Sequence, residues 1–355
     1  MLGLLRARRG EVSSGRGRRV FCPCCGGKAD FLVSSSDRNR KTTRSVFEYF
    51  DCGTCGLVFI DPAPQDLRPF YEGGYQKIPS DLKELRELAA VERYRMKPIL
   101  RYRQGGKLLE IGPWMGLFSC NAKDAGFDVT AIEIDQGCVD FLNKTVGIRA
   151  IQSSDPAATL GSMDELFDVI ALWHSLEHLA TPWLVLERAA KCLTPGGILL
   201  VALPNIESYE FKLLRAAWVN LDAPRHLYFY PVASFASLGK RLGLAELEIT
   251  TTDELSDALS LYTWRSVATS IVPIRYLRGA LAYVLKHFAN RKELRDNSGP
   301  GITAVFQRLS LPLDEGRFTG PLKQSSDVEA GLDGLDQSGA IPIDHARIPH
   351  QEQGG

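Results

Sequence analysis

The chain has 355 residues, 45% apolar and 24% charged, and its 42 Lys and Arg balance 42 Asp and Glu. This is the composition of a soluble globular protein with room for one catalytic domain plus attachments, and the balanced charge gives no sign of a nucleic-acid partner. No run reaches the roughly 18 unbroken apolar residues of a membrane span, and the opening "MLGLL" is too short for a secretion signal, so a cytoplasmic protein is expected.

In chain order, residues 1–20 carry Arg6, Arg8, Arg9, Arg16, Arg18 and Arg19 against Glu11 alone, which predicts a disordered basic tail. Residues 21–75 hold two C-x-x-C steps, each followed by glycine, in "FCPCCGG" and "FDCGTCGLVF". Cys22, Cys25, Cys52 and Cys55 are the expected ligands of a tetrahedral four-thiolate zinc site, with Cys24 competing for a place. Such a closed site leaves no position for water and implies a folding role. An unmetallated cysteine-rich loop is the plainer alternative, and the doubled motif disfavours a redox pair. "SVFEYFDC" reads as a strand into the second knuckle, and "DPAPQDLRPFYEGGY" as a proline-punctuated connection.

Residues 76–104 form a helical linker, with Leu82, Leu85, Leu88 and Val91 at helical spacing. From residue 105 to 310, short apolar runs alternate with amphipathic stretches. "KLLEI", "DVTAIEI", "FDVIALW", "GILLVALP", "LAELEITTTD" and "ITAVFQR" predict strands of a doubly wound α/β sheet. A helical insert or lid is expected over 255–300, broken at Pro273, and residues 311–355 read as a disordered tail.

The first of these strands ends in Glu110-x-Gly112-x-x-x-Gly116, a turn that lets backbone pass close to a ligand, and the second ends in Glu133, where such folds grip ribose hydroxyls. Turn and acid together fit either a dinucleotide or S-adenosylmethionine. "FDVI", "LEHL", "LTPGGILLV" and "PN", within Phe167–Asn205, resemble class I S-adenosylmethionine-dependent methyltransferases over roughly residues 105–253. The knuckles, "DPAP", "FYEGGY" and "WVNLDAPRHLYFY" resemble a bacterial subgroup of that superfamily with an N-terminal zinc-binding region. The resemblance implies a seven-stranded Rossmann-like sheet and a cofactor shell of Glu110, Gly112, Trp114, Gly116, Glu133, Asp155 and Trp173. Trp114 departs from the glycine usual at mid-turn, and packing is the favoured account of its indole.

Removing a proton from an oxygen acceptor calls for a base. His174, Glu177 and His178 in "WHSLEHL" and His226 in "PRHL" are the candidates, with His174 and His178 expected on one helical face; a structural role competes for each. His174 stands where the ubiquinone-pathway O-methyltransferases carry an acid, which argues against a hard divalent ion there. The expected acceptor is a small molecule, glycan or sugar nucleotide; a quinone or lipid-linked acceptor, or a binding protein with a decayed cofactor site, are the alternatives. Arginines amid apolar residues in 255–292 would also suit contact with a membrane surface. The sequence leaves the oligomeric state open.

Overall fold

The computed structural model describes residues 18–71 and 78–309. The predicted tails, apart from Arg18 to Val20, and the "EGGY" at 72–75 lie outside the described residues.

The chain begins with β1 (Val20–Phe21), β2 (Lys28–Ser36), β3 (Val46–Cys52) and β4 (Val58–Ile60). The two knuckles are built alike. Cys22 N–H bonds to Gly27 C=O and Gly26 N–H to Cys22 C=O, while Cys52 N–H bonds to Leu57 C=O and Gly56 N–H to Cys52 C=O. The linker helix is interrupted: α1 (Leu82–Val91) gives way at Glu92, which leaves helical geometry at φ −103° and ψ 14°, before α2 (Lys97–Leu100).

Seven strands make the large sheet. They are β5 (Gly106–Ile111), β6 (Phe127–Glu133), β7 (Arg149–Gln152), β8 (Phe167–Trp173), β9 (Leu193–Pro204), β11 (Leu244–Thr250) and β12 (Gly301–Arg308), after a short β10 (Tyr228–Phe229). Their order is β11-β12-β9-β8-β5-β6-β7, with β12 antiparallel to both neighbours and β5 to β9 mutually parallel. Helices α3 (Leu117–Asp124), α4 (Gln136–Phe141), α5 (Pro156–Gly161), α6 (Pro182–Cys192), α7 (Tyr209–Leu214) and α8 (Val232–Arg241) connect them. Central strands covered on both faces need near-continuous apolar runs, and Val169, Ile170, Ala171 and Leu172 of β8 are fully buried. Strand order reverses between β5 and β8, so the crevice for a ligand opens at the carboxyl ends of these two strands.

β10 belongs to the other sheet. It pairs antiparallel with β4 and extends the N-terminal sheet to β1-β2-β3-β4-β10. Tyr49 and Phe229 meet edge to face at 5.9 Å across that join, and buried residues of both sheets share one hydrophobic core. An ion pair locks the two parts. The Arg225 guanidinium, with no exposed side chain, donates to Asp37 Oδ1 at 2.8 Å and to Asp222 Oδ1 at 2.7 Å.

Between β11 and β12, the chain makes a hairpin of α9 (Glu254–Ile271) and α10 (Arg275–Asp296), with the break around Pro273. Two buried carboxyls lie beneath it. Burial pushes Glu210 of α7 up to about 7, against the donors of Thr263, Ser260, Trp218 and Trp264. Burial and the neighbouring Glu210 and Asp257 push Glu293 of α10 up to about 8, against Lys286. Both groups bind a proton more tightly folded than unfolded. Their contribution to stability is therefore complete below the unfolded carboxylate range and is lost as pH rises through 7 and 8. Urea denaturation should show stability falling by roughly 2 kcal/mol from mildly acidic to mildly alkaline pH, and Glu293→Gln should flatten that slope. An unchanged slope in the variant would remove Glu293 from the account.

Candidate functional site

β5 ends at Ile111, and Gly112 N–H still bonds to Ile132 C=O at 2.9 Å before the chain turns. Gly112 and Gly116 have φ of +74° and +86°. A Cβ on Gly112 would stand 2.6 Å from Ser175 Cβ, and one on Gly116 would strike Leu142. Both positions therefore demand glycine for conformation and for space. Trp114 lies between them at φ +53°, a left-handed conformation that costs a side-chain-bearing residue roughly 1–2 kcal/mol.

A specific bond offsets that cost. Trp114 N–H donates to Glu133 Oε2 at 2.8 Å, while Ile134 and Asp135 N–H donate to Oε1 at 2.8 and 3.0 Å. Glu133 thus faces the Gly112–Gly116 bend, the disposition a ribose-binding acid needs. Burial pushes its carboxyl up, opposed by these main-chain donors. The Trp114 indole is half-buried against the core that contains Phe118 and Leu142, in keeping with packing.

Under the turn, buried Glu110 accepts from Ser119 Oγ–H. Burial pushes Glu110 up to about 7, tempered by Ser119 and by Arg95. The Arg95 guanidinium lies 5.4 Å over the Trp173 ring and pairs with Glu92 at 3.1 Å. Trp173 itself is buried and packs on Phe118 at 5.7 Å, so it supports the crevice floor. Asp155 sits exposed after β7, with Oδ1 capping α5 through Ala158 N–H at 3.0 Å.

The histidines do not share a helix. His174 leaves β8 in a left-handed conformation at φ +53°, and only Leu176–His178 form a single 3-10 turn. They converge by another route, around Glu177. His174 Nδ1 lies 3.3 Å from Glu177 Oε1, and His226 Nε2 lies 4.0 Å from the same oxygen. A carbonyl only accepts, so His226 Nδ1–H donates to Asn220 C=O at 2.8 Å and His178 Nδ1–H to Arg225 C=O at 3.0 Å. The Tyr71 hydroxyl also meets His178 Nδ1 at 2.8 Å, and Tyr49 O–H donates to His226 C=O at 2.9 Å.

Burial opposes charge on Glu177, but the His174 hydrogen bond and the charges of His174, His178 and His226 bring its pKa down to about 2. Burial and neighbouring His226 lower His178 to about 4. At neutral pH the corner therefore holds an ionised Glu177 beside a neutral His178. Tyr71, Asp37, Asn220 and Arg225, none of them a candidate from sequence, buttress it. Asp37 and Arg225 are 188 positions apart, a distance at which no local pattern could pair them.

In the knuckles, one sulfur atom from each of Cys22, Cys25, Cys52 and Cys55 lies within 4.8 Å of the other three. Cys22 and Cys55 are 3.6 Å apart and Cys25 and Cys52 3.5 Å, while Cys24 stays outside the set.

Residues 83–249 match the model of a family described as a methyltransferase domain. A ubiquinone biosynthesis O-methyltransferase of Azorhizobium caulinodans is 28% identical over 131 residues, which cover 36% of this chain and 52% of the relative. A malonyl-[acyl-carrier protein] O-methyltransferase of Erwinia billingiae is 30% identical over 166 residues, covering 44% of this chain and 62% of the relative. Against the first of these, the chain spans about half the relative's length. A S-adenosylmethionine-dependent methyltransferase structure from Archaeoglobus fulgidus aligns with 62% of this chain and 94% of its own, at 16% identity and a TM-score of 0.44. Residues 83–249, which hold the parallel strands of the large sheet, the glycine turn and Glu133, are thus similar to a methyltransferase domain.

Proposed function

We propose that the protein moves the methyl group of S-adenosylmethionine to an oxygen of a small acceptor, with His174 as the general base. The observation that carries this reading is the Glu177–His174 pair. The carboxylate engages Nδ1, and the opposite nitrogen, Nε2, is buried with no hydrogen-bond partner among the described residues. A carboxylate that fixes one imidazole nitrogen leaves the other basic and oriented. The bound cofactor supplies an electrophilic methyl on a sulfonium. An acceptor oxygen that took up this methyl would leave the carbon–sulfur electron pair on sulfur, and His174 Nε2 would take the hydroxyl proton. Gly112, Gly116 and Glu133 would hold the nucleoside part.

The acceptor is read from chemistry shared with the relatives. Several carry the name ubiquinone biosynthesis O-methyltransferase, which weighs toward a hydroxyl on a quinone-like or lipid-linked ring over a sugar hydroxyl. The four cysteines are read as a structural zinc site. Zinc–sulfur bonds of about 2.3 Å place tetrahedral sulfurs about 3.8 Å apart, close to the separations above.

His174→Ala should leave S-adenosylmethionine affinity within about twofold in calorimetry and lower transfer of labelled methyl by about 10²-fold or more. Glu177→Gln should lose rate in the same way. A His174→Ala enzyme with undiminished turnover would reject the base assignment. Failure of the wild type to bind S-adenosylmethionine would favour the decayed-site alternative.

A further inference from the structure

The α9–α10 hairpin turns the wrong side outward for a helix in water. A surface helix ordinarily buries its apolar stripe and shows polar residues to solvent. On α10, small Ala282 and Ala289 face inward with Glu293, whereas Tyr276 (79% exposed), Tyr283 (70%), Phe288 (65%) and Leu294 (59%) face outward. Tyr276, Tyr283 and Leu294, at steps of seven and eleven, line one row, and Leu277, Val284 and Phe288, at steps of seven and four, line the row beside it, so that an apolar ridge two rows wide runs along one side of α10.

Its charge leans basic. Over the hairpin, from Glu254 to Asp296, seven Lys and Arg stand against four acids, Glu254, Asp257, Glu293 and Asp296, and Lys292 and Arg295 pair with Asp296. The whole chain is balanced at 42 against 42, so this bias is local. Arg278 turns inward to bond Val272 C=O, and Lys286 pairs with Asp257. Arg265, Arg275 and Arg291 remain exposed.

We infer that this hairpin lies on an anionic lipid surface, with the Tyr276–Leu294 ridge in the headgroup–acyl boundary and the exposed arginines against lipid phosphates. Aromatic and aliphatic residues with a cationic flank are the chemistry of an interfacial helix, and basic residues strengthen the attraction to an anionic surface. A second copy fits less well. A twofold contact would bring the exposed Arg265, Arg275 and Arg291 of two copies together, while the exposed acids of the hairpin, Glu254, Asp257 and Asp296, are already paired with Lys97, Lys286, and Lys292 and Arg295. No helix of the described residues is long and apolar enough to cross a membrane, so the contact is peripheral. The hairpin also reaches the histidine corner. Asn220 Nδ2–H donates to Thr263 Oγ1 of α9 at 3.3 Å, and Asn220 C=O accepts from His226.

The test is sedimentation of the full chain with vesicles, which needs no turnover and stands apart from the methyl-transfer reading. The protein should pellet with phosphatidylcholine vesicles containing phosphatidylglycerol, fail to pellet with phosphatidylcholine alone, and be released by high salt. Tyr283→Glu/Phe288→Glu should cut binding at least about tenfold, with unchanged circular dichroism and S-adenosylmethionine affinity. Arg275→Glu/Arg291→Glu should do the same if the first variant misfolds. Equal pelleting of wild type and both variants overturns the inference. So does a lipid-free dimer, seen in sedimentation velocity, that Tyr283→Glu/Phe288→Glu converts to monomer.

Discussion

On the reading of the cysteine knuckles as a zinc site, removing the metal is expected to abolish the proposed methyl transfer. A structural zinc contributes an apparent binding free energy of about 10–16 kcal/mol at neutral pH, against a total stability of about 5–15 kcal/mol for an ordinary domain. Without it, the turns at Cys22–Gly27 and Cys52–Leu57 lose the point that holds them together. The loss cannot stay local. β4 pairs with β10, Asp37 holds Arg225, and Tyr49 and Tyr71 bond the two histidine-bearing segments. Breaking one partner of a buried ion pair costs about 3–5 kcal/mol, and a displaced Asp37 leaves buried Arg225 with Asp222 as its remaining carboxylate. Elemental analysis should give about one zinc per chain. Chelation or Cys52→Ser should remove it, lower the melting temperature and silence turnover together. Cys24→Ser should keep both metal and activity, since Cys24 lies outside the sulfur cluster. A metal-free Cys52→Ser protein with wild-type melting and rate would show that the knuckles fold on thiol packing alone.

Much of this architecture could be read from the chain because its central strands are buried on both faces. "FDVIALW" has the continuous apolar run that such a strand requires, and it is β8 from Phe167 to Trp173. β7 (Arg149–Gln152) carries no such run. It is a four-residue edge strand with two exposed positions, and nothing in "RAIQ" distinguishes it from a turn. The convergence of the four knuckle cysteines was legible because the doubled C-x-x-C step, each followed by glycine, turns two thiols toward one point, and their sulfurs do meet. Their union with the transferase sheet was not, since β10 has two residues and its partner strand lies far away in sequence. The helical spacing of His174 and His178 misleads for a specific reason: His174 takes a left-handed backbone conformation, which ends the strand without beginning a helix. Trp114 obeys the same rule from the other side. Its main chain does what glycine does at mid-turn, and Glu133 rewards its N–H, so the turn survives the substitution.

Gly112→Ala is expected to reduce S-adenosylmethionine affinity by about tenfold or more, equivalent to about 1.4 kcal/mol. Two effects combine. At φ +74° an alanine is strained by roughly 1–2 kcal/mol, and its Cβ would lie 2.6 Å from Ser175 Cβ. Ser175 cannot simply withdraw, because its Oγ–H holds Ile111 C=O at 2.7 Å, the last carbonyl before the turn. A shift of Ser175 also moves the 3-10 turn Leu176–His178, and Glu177 with it. Turnover should therefore fall further than affinity does. Gly126→Ala separates strain from crowding, because Gly126 has φ +93° and a methyl group there would meet nothing within 4 Å. That variant should lose stability alone and bind the cofactor as the wild type does. If Gly112→Ala titrates with unaltered affinity while its melting temperature falls as far as that of Gly126→Ala, the turn after β5 is a structural bend and the cofactor crevice lies elsewhere.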